Sequence, residues 1–380
     1  MRAVVLIEPE HMELREVVRP APGAREALVR VAAVGLCGTD FHIFSGEANY
    51  NLDERGSPVP LSDAPQILGH EITGEVVALG DGVTDLAPGD HVAVDQGRNC
   101  VSEARSELCE YCATGDSHQC EFYAEHGLTG LAGGLADYVA LPAVNLVRIE
   151  SGLEPAFAAM TEPLACVLHS CATLAGANAR YGLTGQGDSQ VRTILICGAG
   201  PAGNLFTQVL RKVQGFAGRI LVSDPDATKR ELACAHGAEG IDPGAVGLTD
   251  AVRELTGGRR VELMIDACGS GRLFEDMPGV IRKQATVLLY GQGHAGTGLD
   301  ALTQVQFREP TLITPVGASS GFDADGRPTI YRRALRLLEQ GTIDVAPLVT
   351  HRFESLDAVP AAFAGAQREP GYIKGIAVLE

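Results

Sequence analysis

The sequence has few basic residues and no long apolar run. Its 380 residues include 30 lysines and arginines against 48 aspartates and glutamates, which gives a formal net charge of −18. Nucleic acids and anionic membranes bind basic surfaces, so this balance argues against either partner. No apolar run reaches the roughly 20 residues that a membrane-spanning helix needs. The sequence therefore predicts a protein that binds neither nucleic acid nor membrane.

The sequence also predicts no export signal, and we find no internal repeat or low-complexity segment in it. The apolar run at the N-terminus is too short for a signal peptide and has no cleavage pattern. We therefore expect a cytoplasmic protein, in which the ten cysteines are thiols or metal ligands rather than disulfides. A chain of this length with 45% hydrophobic and 21% charged residues is expected to form two globular domains.

The most informative stretch is a glycine-rich turn, G-x-G-x-x-G, between a strand pattern and a helix pattern. The apolar run Thr193–Cys197 predicts a buried parallel strand, and a helical pattern follows the turn. Gly198 permits the tight turn, Gly200 lets the backbone approach a pyrophosphate, and Gly203 lets helix and strand pack closely. The pyrophosphate is expected at the N-terminus of the helix, where unpaired N–H groups point outward.

A second apolar run ends at Asp224, where a carboxylate can bind both ribose hydroxyls of an adenosine. This carboxylate repels a 2′-phosphate, so the pattern predicts NAD rather than NADP, although Lys229 one turn later could soften the preference. Parallel sheets bind ligands at the carboxyl ends of their strands. The remaining candidates for cofactor binding lie in the turn or at such strand ends: Pro201, Ala202, Cys268, Tyr290 and Gly291.

Four cysteines are clustered in a polar loop at Cys100, Cys109, Cys112 and Cys120. The last three have the spacing C-x2-C-x7-C, and a C-x2-C turn can present two thiolates to one ion. Four thiolates complete a closed tetrahedral zinc site. Lone cysteines prefer protein cores, so clustering in a polar loop favours a structural zinc over four unrelated side chains.

Three further segments bring together groups that bind metals or transfer protons. They are Cys-Gly-Thr-Asp-Phe-His at 37–42, Gly-His-Glu at 69–71 and Glu-Pro-Leu-Ala at 162–165. With these motifs, the cysteine lobe and the glycine turn in the same order, the chain resembles the zinc-dependent medium-chain dehydrogenase/reductase family over essentially its whole length. The Glu-Pro-Leu motif resembles the polyol, sorbitol and threonine dehydrogenase branches, whereas the alcohol dehydrogenase branch has a cysteine there.

The resemblance implies an α/β fold that combines a Rossmann doubly wound parallel sheet with a GroES-like antiparallel β-barrel. The catalytic domain is expected at residues 1–160, completed by a C-terminal segment at 321–380, and the NAD-binding domain at 161–320. We expect the chain to return to strand at residues 135–149, and within its last part we expect strands at Leu312–Val316 and Val345–Val349. The sequence departs from the family at a long loop, 45–64, in extra residues after Cys100, and at an extended link, 176–190.

The resemblance also implies a catalytic zinc bound by Cys37, His70 and Glu162, with Glu71 beside the metal or on it. Asp40 is expected to hold the far nitrogen of His70. Thr39 and His42 would form a relay that carries the substrate proton to solvent, because histidine titrates near neutral pH.

These expectations combine into an NAD-dependent zinc dehydrogenase that oxidises a secondary hydroxyl of a polyol, cyclitol or amino alcohol. One alternative is a threonine-type 3-hydroxy amino acid dehydrogenase, because the 37–42 motif resembles that branch closely. A second, from a different class, is a zinc- and NAD-binding redox sensor without turnover. The resemblance and an apolar sheet edge predict a homodimer or homotetramer.

Overall fold

The computed structural model describes residues 1–296, 298 and 300–379. Its chain divides into two compact units: Met1–Cys166 with Ala318–Glu380, and Val167–Gly317. The first unit begins with β1 (Arg2–Glu8), β2 (His11–Glu16), β3 (Glu26–Leu36), α1 (Gly38–Phe44), β4 (Glu71–Leu79), β5 (His91–Val94), β6 (Gly97–Arg98), α2 (Glu110–Thr114), β7 (Ala124–Glu125), β8 (Tyr138–Pro142), β9 (Leu146–Arg148) and α3 (Pro155–Ala158).

Helix α4 (Thr161–Gly176) leads into the second unit and is followed there by a parallel α/β succession. Its elements are β10 (Thr193–Cys197), α5 (Pro201–Gln208), β11 (Arg219–Ser223), α6 (Ala227–Ala235), β12 (Glu239–Ile241), α7 (Leu248–Leu255), β13 (Val261–Asp266), α8 (Leu273–Val280), β14 (Ile281–Leu289), α9 (Ala301–Gln306) and β15 (Thr311–Ile313). The chain then returns to the first unit with α10 (Thr329–Glu339), β16 (Val349–Phe353), α11 (Val359–Gly365) and β17 (Lys374–Val378).

The first unit is built on a seven-stranded sheet whose order is β16-β17-β3-β4-β5-β9, with β8 also paired to β3. Every pairing is antiparallel except that of β16 with β17. Strand β3 is long enough to bind β17 near its carboxyl end and β8 near its start. Residues 37–42 follow the carboxyl end of β3, and residues 69–71 lead into β4 beside it. Both motifs therefore lie close to β17, the last strand of the chain.

The second unit is a six-stranded sheet with the order β12-β11-β10-β13-β14-β15, in which all pairings are parallel. All five residues of the central strand β10 are buried, as expected for a strand covered on both faces. Strands β11 and β12 lie on one side of β10, and strands β13, β14 and β15 lie on the other. The loops that follow β10 and β13 therefore diverge at the carboxyl end of β10. Doubly wound sheets bind ligands at that point.

Two local expectations were wrong. The strand expected at Val345–Val349 lies later, at Val349–Phe353, because Val345 and Leu348 are buried within a turn closed by a hydrogen bond from Leu348 N to Val345 O. The strand pattern from 135 to 149 is interrupted by a 3₁₀ turn at Ala143–Asn145. Apolar periodicity reports burial, and it does not distinguish a strand from a buried turn.

Contrary to the sequence expectation, one helical segment, Pro155–Gly176, is long and apolar enough to cross a membrane by length and composition alone. Of its most apolar window, 78% is buried inside the protein. This burial accounts for the composition, because the core helix of a globular unit is also apolar on most sides.

Candidate metal centres and nucleotide-binding edge

Cys37, His70 and Glu71 form a cluster with the geometry of a metal site. One potential ligand atom from each lies within 4.8 Å of the others, and both His70 and Glu71 are buried. Cys37 caps the N-terminus of α1, while Glu71 is the first residue of β4. The start of helix α1 and the start of strand β4 thus bring the motifs at 37–42 and 69–71 together.

Asp40 fixes the geometry beneath this cluster. It is fully buried, and its two carboxylate oxygens accept hydrogen bonds from the backbone N–H of Cys37 at 2.9 Å and of Gly69 at 3.2 Å. His70 Nδ1 lies 3.3 Å from Asp40 Oδ1, close enough for an ion pair although not aligned as a hydrogen bond. Burial alone lowers the pKa of His70, but Asp40 and then Cys37 outweigh it and raise that pKa well above its ordinary value.

Glu71 is held by a lysine far away in the sequence. Its Oε1 accepts a hydrogen bond from Lys374 Nζ at 2.5 Å, and Lys374 also donates to the carbonyl of Leu36 at 3.0 Å. Burial lowers the pKa of Lys374, but the attraction of Glu71 and Cys37 outweighs it and raises the pKa. The sequence interpretation missed Lys374, although a lysine in the otherwise apolar strand Lys374–Val378 was a signal for a buried ion pair.

Glu162 lies near the cluster but is not one of its three members. It is buried in the first turn of α4, and its Oε1 accepts hydrogen bonds from Gln96 Nε2 at 3.3 Å and from the Cys166 thiol at 3.2 Å. Burial raises the pKa of Glu162 to about 7, with a further increase from Glu71 that the positive charge of His70 opposes. No basic side chain among the described residues forms an ion pair with this carboxylate, although His70 and Lys374 act on it at longer range.

Gln96 is a second residue that the sequence interpretation missed. Its amide oxygen accepts a hydrogen bond from Tyr331 Oη at 2.5 Å, while its amide nitrogen donates to Glu162 and to Glu125. Gln96 is 1% exposed and Tyr331 is fully buried. No sequence pattern marks Gln96 as a partner of Glu162, since only the fold brings residues 96, 162 and 331 together.

The donor set and its electrostatics fit a zinc ion. A thiol, an imidazole and two carboxylates are all zinc ligands. Among the described residues, Glu71 Oε2 is a buried oxygen without a hydrogen-bond partner, and burial raises the pKa of Glu162 to about 7. A buried group of acids that is short of positive charge is stabilised by a cation.

The proton-relay candidates lie on α1. The Cys37 thiol donates to Thr39 Oγ1 at 3.7 Å, so Thr39 is adjacent to the cluster. His42 is partly exposed, and its Nδ1 lies 2.6 Å from Glu47 Oε2. The helix thus places one hydroxyl beside the cluster and one imidazole near solvent.

The four lobe cysteines form a second cluster, in which the four Sγ atoms lie within 4.8 Å of one another. Cys100 and Cys120 are separated by 3.6 Å and Cys109 and Cys120 by 3.8 Å between sulfur atoms. In a tetrahedral site with Zn–S bonds of about 2.3 Å, neighbouring sulfurs lie about 3.8 Å apart. The cluster therefore matches a zinc tetrathiolate in both residue type and spacing.

The lobe thiols do not share one pKa. Backbone N–H donors near Cys112 and Glu121 lower the pKa of Cys109 to about 6 against the effect of burial, whereas burial raises the pKa of Cys112 and Cys120. Without a cation, the four sulfurs cannot all be thiolates at neutral pH. Bound zinc removes this conflict because it deprotonates its thiol ligands.

The glycine turn has the backbone geometry that its spacing predicts. Gly198 has φ of +100°, a conformation that favours glycine. A Cβ on Gly203 would lie 1.9 Å from the carbonyl oxygen of Gly198, so the close approach of helix and strand requires glycine there. Gly200 faces open space, and it is followed by Pro201 and Ala202 in the first turn of α5. This geometry leaves room for a ligand above Gly200.

Asp224 lies at the same edge and binds the turn directly. Its Oδ2 accepts a hydrogen bond from Ala199 N at 2.8 Å and its Oδ1 accepts one from Asp226 N at 2.8 Å. Lys229 lies in the first turn of α6, and the next residue, Arg230, donates to the Asp224 carbonyl at 2.6 Å.

The other cofactor candidates also lie at the carboxyl ends of parallel strands. Cys268 comes just after β13, and a Cβ on Gly198 would lie 3.0 Å from its Cβ. Tyr290 and Gly291 follow β14, and both of their N–H groups donate to the carbonyl of Asp266 at 2.9 Å. The edge thus brings together every residue proposed for the cofactor from sequence.

Comparison with known proteins matches both units. The family described as "Alcohol dehydrogenase GroES-like domain" matches residues 23–151, and the family described as "Zinc-binding dehydrogenase" matches residues 201–340. With the doubly wound sheet and the two donor clusters, these matches define the chain as a zinc-binding dehydrogenase. It belongs to the zinc-dependent medium-chain dehydrogenase family.

Individual relatives cover nearly the whole chain. L-threonine 3-dehydrogenase of Pyrococcus furiosus is 29% identical over 365 residues, which are 96% of this chain and 94% of the relative. Sorbitol dehydrogenase of Halalkalibacterium halodurans is 29% identical over 351 residues, which are 90% of this chain and 89% of the relative. A solved structure from Sinorhizobium meliloti 1021, provisionally described as a zinc-binding dehydrogenase and bound to NADP, is 28% identical. It has a TM-score of 0.78, with 99% of this chain and 98% of that chain covered.

These findings confirm the family, the fold class and the enzyme class expected from sequence. They also confirm the two classes of cofactor, zinc and a nicotinamide dinucleotide. The chain is a zinc-dependent alcohol dehydrogenase in the broad sense, an oxidoreductase that acts on a small-molecule alcohol.

Proposed function

We propose that the protein is an NAD-dependent zinc dehydrogenase that oxidises a secondary hydroxyl of a polyol, cyclitol or amino alcohol to a ketone. The observation that carries this proposal is the cluster of Cys37, His70 and Glu71, with Glu162 beside it, whose pKa is raised by burial to about 7. We assign metal chemistry to residues 1–160 and 321–380 together with Glu162, and cofactor binding to the rest of residues 161–320.

The catalytic zinc is assigned to Cys37, His70 and Glu162. Glu71 Oε1 is bound to Lys374 at 2.5 Å within a fully buried ion pair, which ties its carboxylate down. Among the described residues, Glu162 accepts hydrogen bonds from one amide and one thiol at 3.2–3.3 Å and forms no ion pair, so it can turn towards a cation at little cost. This difference favours Glu162 as a ligand and places Glu71 beside the metal.

The structural zinc is assigned to Cys100, Cys109, Cys112 and Cys120. Support comes from the four convergent sulfurs and from backbone N–H donors to Cys100 and Cys120, each at 3.4 Å. Four thiolates leave no open position for a substrate, so this zinc would stabilise the lobe and take no part in the chemistry.

When bound, zinc lowers the pKa of the substrate hydroxyl and NAD accepts the hydride. Cys37 and His70 are held in position by Asp40, which binds the backbone of the first and faces the ring of the second. Thr39 would pass on the hydroxyl proton, and His42, whose Nδ1 lies 2.6 Å from Glu47 Oε2, would release it to solvent.

NAD is preferred over NADP in this proposal. The Asp224 carboxylate accepts backbone hydrogen bonds at the end of β11, where it would meet the adenosine ribose and repel a 2′-phosphate. A relative was solved with NADP, and the basic residues Lys229 and Arg230 lie near Asp224, so both observations oppose a preference for NAD. A comparison of the two cofactors therefore tests the role of Asp224 directly. The efficiency of turnover with NAD should exceed that with NADP at least tenfold, and equal use of both would contradict the assignment.

A second candidate substrate class is a 3-hydroxy amino acid such as threonine, favoured by the relative from Pyrococcus furiosus. Both classes present a secondary hydroxyl next to a second polar group. A panel of polyols, cyclitols and threonine, followed at the absorbance band of the reduced cofactor, separates the two. A zinc- and NAD-binding protein without any turnover in this panel would instead match the redox-sensor alternative.

We also propose a cytoplasmic enzyme that assembles as a homodimer or a tetramer of dimers. None of the ten cysteines, all of which lie among the described residues, forms a disulfide, which suits a reducing compartment. The edge strand β15 and the residues after it expose Leu312 at 45% and Val316 at 57%, and an apolar strand edge favours pairing with another copy.

A further inference from the structure

A histidine that the sequence interpretation did not single out is paired with a buried carboxylate at the edge of the parallel sheet. His294 follows β14, and its Nε2 lies 2.7 Å from Oδ2 of Asp266, the last residue of β13. The Asp266 side chain is 1% exposed, whereas that of His294 is 29% exposed. The imidazole therefore has one side tied to the protein interior and another that reaches the surface.

The two oxygens of Asp266 have separate partners. Oδ1 accepts hydrogen bonds from the backbone N–H groups of Cys268 at 3.0 Å and Gly269 at 2.9 Å. Both oxygens of the carboxylate thus act as acceptors, Oδ1 for two backbone donors and Oδ2 for the imidazole. Nε2 of His294 then carries the proton that binds Oδ2, so in the neutral ring Nδ1 is left as a hydrogen-bond acceptor.

The backbone around His294 is held in an unusual conformation. His294 has φ of +37°, within the left-handed region that costs energy for any residue other than glycine. Its N–H donates to the carbonyl of Gly269 at 2.7 Å, and its ring meets Phe274 edge-on with centroids 5.7 Å apart. The protein thus fixes both the backbone and the ring of this residue.

The order of the strands places this pair on one half of the ligand-binding edge. Strands β13 and β14 lie on the side of β10 opposite to β11, which carries Asp224. A dinucleotide bound across such an edge has its pyrophosphate at the glycine turn and its two nucleoside halves on opposite sides. If Asp224 takes the adenosine ribose, the other half lies over the ends of β13 and β14.

We propose that His294, oriented by Asp266, binds the nicotinamide riboside half of the cofactor through an acceptor at Nδ1. The donor on the ligand is a ribose hydroxyl or the carboxamide N–H. Asp266 is a positioning residue that selects the tautomer, and His294 is the residue in contact with the cofactor. This inference rests on the proposed function, because it requires a dinucleotide at this edge.

Binding titrations by calorimetry test the inference without any turnover. NADH, ADP-ribose and ADP differ in how much of the second half they carry. His294→Gly removes the ring and suits the positive φ, so it should fold. Asp266→Asn keeps the shape but presents an amide N–H to Nε2, which favours the tautomer with the proton on Nδ1. Both variants should bind NADH about tenfold more weakly, as expected for one lost hydrogen bond, and should bind ADP like the wild type.

The three ligands show which group of the cofactor His294 contacts. A loss that extends to ADP-ribose identifies the ribose hydroxyl as the donor, and a loss confined to NADH identifies the carboxamide. Unchanged NADH affinity in His294→Gly, or an equal loss for ADP, overturns the inference. Wild-type protein that fails to bind NADH overturns the proposed function itself, so the two failures are distinguishable.

Discussion

At the scale of single residues, Glu162 has two competing explanations. A glutamate in the first turn of a helix stabilises the helix dipole by about 0.3–1 kcal/mol, and on that basis its loss would leave activity nearly intact. As a zinc ligand it completes a site in which Glu71 is already bound to Lys374. We therefore predict that Glu162→Ala loses the catalytic zinc and nearly all turnover, while the lobe zinc stays.

Metal analysis of the purified variant checks this prediction, with two zinc ions per chain expected for the wild type and one for Glu162→Ala. NADH binding serves as a control, because the glycine turn at Gly198 belongs to a separate motif. A Glu162→Ala protein with two zinc ions and most of its activity would show that Glu71 is the third ligand.

His126 is predicted to make stability depend on pH. Its Nδ1 donates to the carbonyl of Ala132 at 2.9 Å, Nε2 is buried without a hydrogen-bond partner among the described residues, and burial lowers its pKa. The unfolded histidine takes up a proton at about pH 6.5, before the folded one does, so acidification favours unfolding by up to about 1.4 kcal/mol per pH unit.

His126→Asn keeps a donor for Ala132 and does not titrate. We predict that its free energy of unfolding falls less than that of the wild type between about pH 7 and about pH 5.5. Urea unfolding at both pH values measures the difference. Parallel losses in the two proteins would contradict the role assigned to His126.

Whether a contact in the site could be predicted from sequence depends on how many positions separate its two residues along the chain. Asp40 and Cys37 were predictable together, because a turn of helix relates them. The pair of Glu71 with Lys374 was not, since 303 positions separate them and only the pairing of β3 with β17 brings them together. His294 and Asp266 were missed for the same reason, as they lie on the ends of two neighbouring strands.

At the scale of elements, the cysteine lobe is predicted to be a stabilising module. Cys112→Ser should lose one zinc per chain and lower the melting temperature by more than about 5 °C, with little change in turnover of the folded fraction. Cys234→Ser is a matched control, because Cys234 is an exposed cysteine outside the lobe. A wild type with one zinc, together with an unperturbed Cys112→Ser protein, would refute the structural site.

The edge strand β15 is predicted to pair with another copy of the chain. A lysine on a strand edge opposes such pairing, so Leu312→Lys should shift a dimer or tetramer towards smaller species at micromolar concentration. Val246→Lys is the control, because Val246 is 48% exposed against 45% for Leu312. Light scattering gives the mass of each protein, and a monomeric wild type would refute the proposal.

Elements with strong local signals were predictable. The strand at Thr193–Cys197 and the helix from Pro201 onwards follow from an apolar run, a glycine turn and a proline at the start of the helix. The strand near the C-terminus was placed too early because the buried Val345 and Leu348 resemble strand residues in hydrophobicity. Their true setting, a turn, depends on packing that no local pattern contains.

At the scale of the whole molecule, we expect the two units to divide the chemistry between them. The first unit holds the metal-binding clusters, and the second holds the glycine turn and the strand ends expected to bind the cofactor. The central claim is that zinc bound by the first unit is required for hydride transfer from a secondary alcohol to NAD.

The most direct measurement is the formation of NADH by the zinc-loaded protein with a panel of polyols, cyclitols and threonine. The same protein is then assayed after a chelator has removed the catalytic zinc, and again after addition of zinc or, as a control, magnesium. We predict NADH formation with at least one secondary alcohol, its loss on chelation, and its return with zinc but not with magnesium. Turnover that persists without zinc, or a zinc-loaded protein that oxidises no secondary alcohol in the panel, would contradict the account.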